Sequence, residues 1–271
     1  MNASEYKDFA DRLASEAKIG EGMHGYFLLH HTRLWQTASH FDLWNLRGKK
    51  ILEIGPFFSY TPFILREQGN EVHVIEGDDP AVHPLATVYK NRGIEFAICD
   101  LFQVFGAPDT KRHRLPFDDS QFDAVICWET MEHFNFNPVG FVRELRRILK
   151  PGGRAFITVP NVASLGGRVR LLLGKGIGTK PGDYIRFYNY EGGRAFLGFH
   201  WREYALSELT QLFASQQFDI LSAGHLLTFQ HYDHLPLSKK IQRLTGRCVF
   251  ALCPGMGTLC AMTAGKKAMN Q

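Results

Sequence analysis

The stretch "CWETMEHF", Cys127 to Phe134, places Glu129, Glu132 and His133 within five positions, directly after the apolar run "FDAVIC". If the segment turns helically, Glu129 lies one turn from Glu132 and His133, and the three side chains can converge. Two carboxylates and an imidazole form part of a site for Mg2+, Mn2+ or Zn2+, and a further histidine would complete it. The sequence offers His200, at the head of "HWREYALSELTQLFASQQ". The same residues also permit a metal-free reading. Glu132 then opens a helix, and His133 contacts a cofactor or serves as the general base that takes a proton from an alcohol. Both readings stay open, and both put His133 at the reaction centre.

Such residues need a scaffold, and the chain repeats one. From Lys50 short apolar runs alternate with helical segments: "KILEIG", "TPFILREQG", "EVHVIEG", "PLATVYKNRG", "IEFAICD", then "FDAVICWE", "PVGFVRELRRILKPGG" and "RAFITVPN". This βα alternation predicts an α/β fold, with a Rossmann-like parallel sheet and helices on both faces, its core running from about 48 to 161. Ligands gather at the carboxyl ends of the strands in such sheets. Four strand ends carry chemistry: Glu53 with Gly55, Glu76 with Gly77, Asp100 with Leu101, and Trp128 leading into the acidic and histidine cluster. An acid closing the second strand can accept from both ribose hydroxyls, and one closing the third can accept from an adenine amino group.

Order and spacing together resemble a class I S-adenosylmethionine-dependent methyltransferase. The resemblance rests on the "ILEIGPFFS" turn, the acid in "HVIEGDD", the "AICD" strand end, the "LPFDDSQFDAVIC" approach and "LRRILKPGGRAFITVPN". It covers about 48 to 161, and "HWREYALSELTQLFASQQFDIL" extends it. It implies S-adenosyl-L-methionine as cofactor, held by Glu53, Gly55, Glu76, Gly77, Asp100, Leu101 and Trp128, with Glu132 and His133 catalytic. E-x-x-E-H with a distant histidine is similar to the metal site of small-RNA 3′-end and ubiquinone-pathway methyltransferases, and implies one divalent cation on Glu129, Glu132, His133 and His200. One departure stands out: of the family's three glycines in the first turn only Gly55 is kept, with Phe57 and Ser59 at the later positions. A NAD enzyme would require the full G-x-G-x-x-G, which "GPFFSY" lacks.

The remaining segments are expected to frame this centre. Residues 1–47 read as a helical cap over the cofactor, with Arg33 facing its carboxylate, and 48–271 as the methyltransferase domain. Residues 162–199, rich in Gly and Arg and without clear periodicity, read as a substrate lid or loop inserted after the fifth strand. A helix begins near Ser207, "FDILSAGHLLTF" and "GMGTLCAM" read as strands, and the basic segment Ser238 to Leu252 as a buried helix. His24, His30, His31 and His40 read as packing or surface residues, and His225, His231 and His234 as loop or acceptor-site residues. Arg168, Arg170 and Lys175 suit either an anionic substrate or a solvated face.

A net charge of +4 and a pI of about 8.8 allow an anionic acceptor but fall short of a dedicated nucleic-acid binder. Five cysteines form no CxxC pair, and the N-terminus is charged and helix-like, so a reduced, cytoplasmic protein is expected. No apolar run approaches the roughly 20 residues needed to span a bilayer, and a peripheral membrane contact has no support at this level. With "WETMEH" where nitrogen methyltransferases carry N-P-P-Y or D-P-P-Y, the expected acceptor is oxygen: a hydroxyl on a small molecule or a glycan-linked sugar. A quinone or phenolic acceptor is the alternative, and a non-catalytic Rossmann-like binding module is the reading from another class.

Overall fold

The computed structural model describes residues 1–77, 85–106, 113–191, 198–229 and 236–268. His231 and His234 lie outside the described residues. Two helices lead, α1 (Ala3–Glu16) and α2 (Glu21–His40). Asn2 starts α1 by a reciprocal cap: its side chain accepts from Glu5 N at 2.9 Å, and its own N donates to the Glu5 carboxylate at 2.7 Å. The alternation follows as β1 (Lys50–Ile54), α3 (Thr61–Glu67), β2 (Glu71–Glu76), α4 (Leu85–Asn91), β3 (Glu95–Ile98), α5 (Leu101–Phe105), β4 (Phe122–Trp128), α6 (Val139–Ile148) and β5 (Leu149–Pro160). The chain then forms α7 (Leu165–Leu172), α8 (Pro181–Glu191), α9 (Leu206–Ser215), β6 (Phe218–Leu226), α10 (Leu237–Leu252) and β7 (Leu259–Lys266).

The seven strands form one sheet in the order β3-β2-β1-β4-β5-β7-β6. The first five run parallel, while β7 pairs antiparallel with both β5 and β6, so the sheet is mixed. The order reverses between β1 and β4, whose register pairs Ile54 with Cys127, and this is where an open sheet leaves a crevice at its carboxyl ends. Side chains alternate across the sheet. Ile51, Ala124, Ile126, Trp128 and Phe156 pack with Tyr6, Phe27 and Trp44 of the N-terminal segment. Leu52, Ile54, Val125, Cys127 and Ile157 pack on the other face with Phe141 of α6 and Phe213 of α9. The N-terminal helices thus complete one of the two core layers.

Two expectations change. Residues 162–199 are no structureless loop: Ser164 caps α7 by accepting from Gly167 N at 3.2 Å, and α8 follows within the same segment. Glycines at 166, 167, 174, 176 and 178 obscured the helical period in the sequence. The second correction concerns α10, which contains no buried residue. Its apolar spacing is helical, as read, but the helix lies on the surface.

Candidate active site

Near the crevice end of β1 lies Glu53, which shares the cap-facing side of the sheet and is 2% exposed. Burial first, and then the neighbouring Glu76 carboxylate, pushes the Glu53 carboxyl up to about 8. The turn after it depends on Gly55. Its φ is +64°, and a Cβ there would meet Thr130 Oγ1 at 3.0 Å. Thr130 Oγ1 in turn reaches Ile54 O of β1 at 3.3 Å and Trp128 O of β4 at 2.9 Å, so the β1 and β4 turns interlock. Phe57, at a position the family usually gives to glycine, adopts φ +50°. Its N–H donates to the buried Glu76 carboxylate, which draws the turn down onto the end of β2. Gly77 follows directly and is the last residue described there.

Asp100 caps α5 by accepting from Phe102 N at 2.9 Å and Gln103 N at 3.3 Å, with Leu101 as the first helical residue. This aspartate therefore has a structural task whatever else it binds. Trp128 closes β4, stacked on Phe41 at 6.1 Å between centroids. Its Nε1 is buried and has no hydrogen-bond partner among the described residues, and the same holds for Glu53 Oε2 and Glu132 Oε2. Buried polar atoms nearly always find partners. Three orphans at one sheet edge mark a place shaped for a polar ligand.

Beyond Trp128 the chain turns sharply at Glu129, which has φ +49° and donates its N–H to Thr158 O at 2.9 Å. Met131–His133 then forms a single 3-10 turn. Glu132 is 1% exposed, and burial, reinforced by Glu129, raises its pKa far above the usual carboxylate range. His133 Nδ1 lies 3.0 Å from Phe199 O, a pairing in which Nδ1–H donates and Nε2 keeps its lone pair. Burial lowers this imidazole to about 4, so it is neutral at pH 7. Donor atoms of Glu132, His133 and His200 all lie within 4.8 Å of one another. His200 Nδ1 lies 3.4 Å from Glu203 Oε1, a partner three residues on that the sequence reading passed over although the H-W-R-E spacing contains it.

Glu129 is not part of that group. Its Oε2 accepts from Arg33 Nη1 of α2 at 3.0 Å across 96 positions of sequence, so Arg33, expected to face a cofactor carboxylate, meets a protein carboxylate. Three of the cap histidines are occupied in packing, since His24 bridges Asp11 and Tyr60 and His30 and His31 are buried, while His40 is exposed. His225 lies half-buried in β6.

Residues 52–157 match the family model described as a methyltransferase domain. The chain carries a class I S-adenosylmethionine-dependent methyltransferase domain. Relatives of this methyltransferase domain include a tRNA U34 carboxymethyltransferase of Campylobacter curvus, 29% identical over 128 residues, or 45% of this chain and 40% of the relative. A ubiquinone biosynthesis O-methyltransferase of Pseudomonas aeruginosa is 29% identical over 117 residues, or 43% of this chain and 47% of the relative. The chain spans less than half the length of these two curated relatives. Among solved structures, a chain of the Haloferax volcanii complex containing the Trm112 methyltransferase activator aligns over 97% of this chain and 98% of its own, with TM-score 0.56 and 17% identity. The [4+2]-cyclase SpnF aligns over 88% and 81%, with TM-score 0.55 and 17% identity. At such identities the likeness is one of fold, and the cyclase shows that this fold also carries other chemistry.

Proposed function

We propose that the protein transfers the methyl group of S-adenosyl-L-methionine to a hydroxyl oxygen, with a divalent cation held beside the acceptor by Glu132, His133 and His200. The observation that carries this is the donor set itself: a buried carboxylate with an unpartnered oxygen, and two imidazoles within 4.8 Å of it. The set fits a cation. His133 presents Nε2 because Nδ1 serves a backbone carbonyl, and His200 Nδ1 leans on Glu203, the outer-shell pattern usual for metal-bound histidines. The alternative role of His133, as a lone base, has less support. The burial that keeps it neutral also makes it a weak proton acceptor near pH 7.

Bound there, a divalent cation would lower the pKa of an acceptor hydroxyl. The chain's own residues do the rest. Glu76 would accept from the ribose hydroxyls, Gly55 would let the backbone approach the methionyl portion, and Asp100, Leu101 and Trp128 would border the adenine. Bound there, S-adenosyl-L-methionine would supply a sulfonium methyl to the acceptor oxygen and leave as the neutral thioether, with the hydroxyl proton passing to solvent. The relative from P. aeruginosa, an O-methyltransferase by its name, supports oxygen as acceptor. The tRNA-directed relative supports a second reading, an RNA acceptor.

The test combines calorimetry with S-adenosylmethionine, metal content by mass spectrometry, and methyl transfer to catechols, nucleotide sugars and tRNA. Cofactor binding, about one cation per chain, and its loss in Glu132→Gln are expected. Full activity after exhaustive chelation would remove the cation, and no cofactor binding would remove the enzyme reading.

A further inference from the structure

α10 has the apolar spacing of a packed helix without a covering layer among the described residues. At about 100° per residue, Leu237, Ile241, Leu244, Cys248 and Leu252 fall within an arc of about 80°. All five are exposed, Leu237 to 73% and Leu252 to 83%. The opposite side faces the body: Arg243 lies over the Phe229 ring at 5.3 Å, Gly246 sits beside the same ring, and Phe250 packs at Gly257. Lys240 and Arg247, both exposed, border the apolar arc. No acidic residue occurs between 237 and 268.

The chain carries a second exposed apolar tip. Leu171, Leu172 and Leu173, at the end of α7, are exposed, Leu172 to 86%. Arg168, Arg170, Lys175 and Lys180 accompany them, and 162–182 also lacks any acid. Asn161 joins the roots of the two segments, its Nδ2 donating to Gly255 O at 3.0 Å and Gly257 O at 2.9 Å. Both therefore leave the sheet at the carboxyl end of β5. The α7–α8 segment also touches the candidate site, since His200 N donates to Thr179 Oγ1 at 2.8 Å.

We infer that the exposed stripe of α10 docks the protein on an anionic lipid surface. A leucine stripe bordered by lysine and arginine, with no acid nearby, matches a bilayer interface that is apolar beneath and negative at its surface. An RNA face would use the cations and leave the leucines in water. A second copy meeting this face across a two-fold axis would oppose like charges. No described helix is long and apolar enough to cross a membrane, so α10 lies on the surface. Docking stands apart from the methyl-transfer reading. Only its consequence, an acceptor carried by the lipid surface, rests on that reading, and binding is measured without cofactor so that the two can fail separately.

The experiment is co-sedimentation of the full chain with phosphatidylcholine vesicles, with or without about one-third phosphatidylglycerol. Wild type is expected to sediment with the anionic vesicles and far less with the neutral ones. Lys240→Gln with Arg247→Gln is expected to weaken binding about 30-fold, from roughly fivefold per cation. Ile241→Ser, Leu244→Ser and Leu252→Ser together should weaken it at least tenfold. All five side chains are exposed, so unchanged circular-dichroism melts should accompany both losses. Wild-type binding by the serine variant would overturn the inference. So would absence of vesicle binding, whether alone, with tRNA binding that the glutamine variant loses, or with a dimer that the serine variant dissolves.

Discussion

Replacing Glu53 by glutamine reads the electrostatics of the β1 end directly. In the folded protein the carboxyl is held at about 8 against an ordinary 4.5, with burial as the main cause and the Glu76 carboxylate as the second. Because the folded value is raised, the protonated form is favoured on folding. Its stability contribution is complete below about 4.5 and is lost as pH rises towards 8. At about 1.4 kcal/mol per decade of proton activity, the interval corresponds to about 5 kcal/mol. Glutamine keeps the shape and never ionises. The Gln variant should therefore gain on wild type steadily between pH 5 and pH 8 and run parallel to it above. Urea unfolding of the cofactor-free proteins at half-unit pH steps measures the difference. A difference that does not change with pH would refute the reasoning, because it would mean that Glu53 ionises in the fold as it does in water.

Three further substitutions probe the same edge. Gly55→Ala should destabilise by about 1–3 kcal/mol, since alanine is strained at φ +64° and its Cβ would press on Thr130; thermal melts check this. Arg33→Met leaves the half-buried Glu129 without its cation and should cost about 3 kcal/mol, read by urea unfolding, with most of the loss recovered in Arg33→Met/Glu129→Gln. Asn161→Ala removes two side-chain hydrogen bonds to the turn before β7 and should cost about 2 kcal/mol, with faster hydrogen exchange at Gly255 to Leu259.

The elements that position the candidate site were legible because each announces itself locally. Apolar runs of strand length ending in Glu53, Glu76, Asp100 and Trp128 need only a window of neighbours to be recognised, and parallel pairing follows from the intervening helices. The convergence of Glu132 and His133 was readable for the same reason, as adjacent residues in one turn. What failed was whatever depended on the partner across space. Glu129 sits at the right spacing to join them, yet Arg33, contributed by a helix 96 positions earlier, takes its carboxylate.

The C-terminal third shows the same division. Its alternating residues predict strands, but the insertion of β7 between β5 and β6 depends on antiparallel pairing with β5, a segment about a hundred residues earlier. In α10 the period of leucines and isoleucine establishes an amphipathic helix from sequence alone. Period says which residues share a face, and nothing about what that face meets. Only the packing of Arg243, Gly246 and Phe250 against the body settles that the apolar stripe points outward, because burial belongs to the whole assembly of elements and not to any one of them.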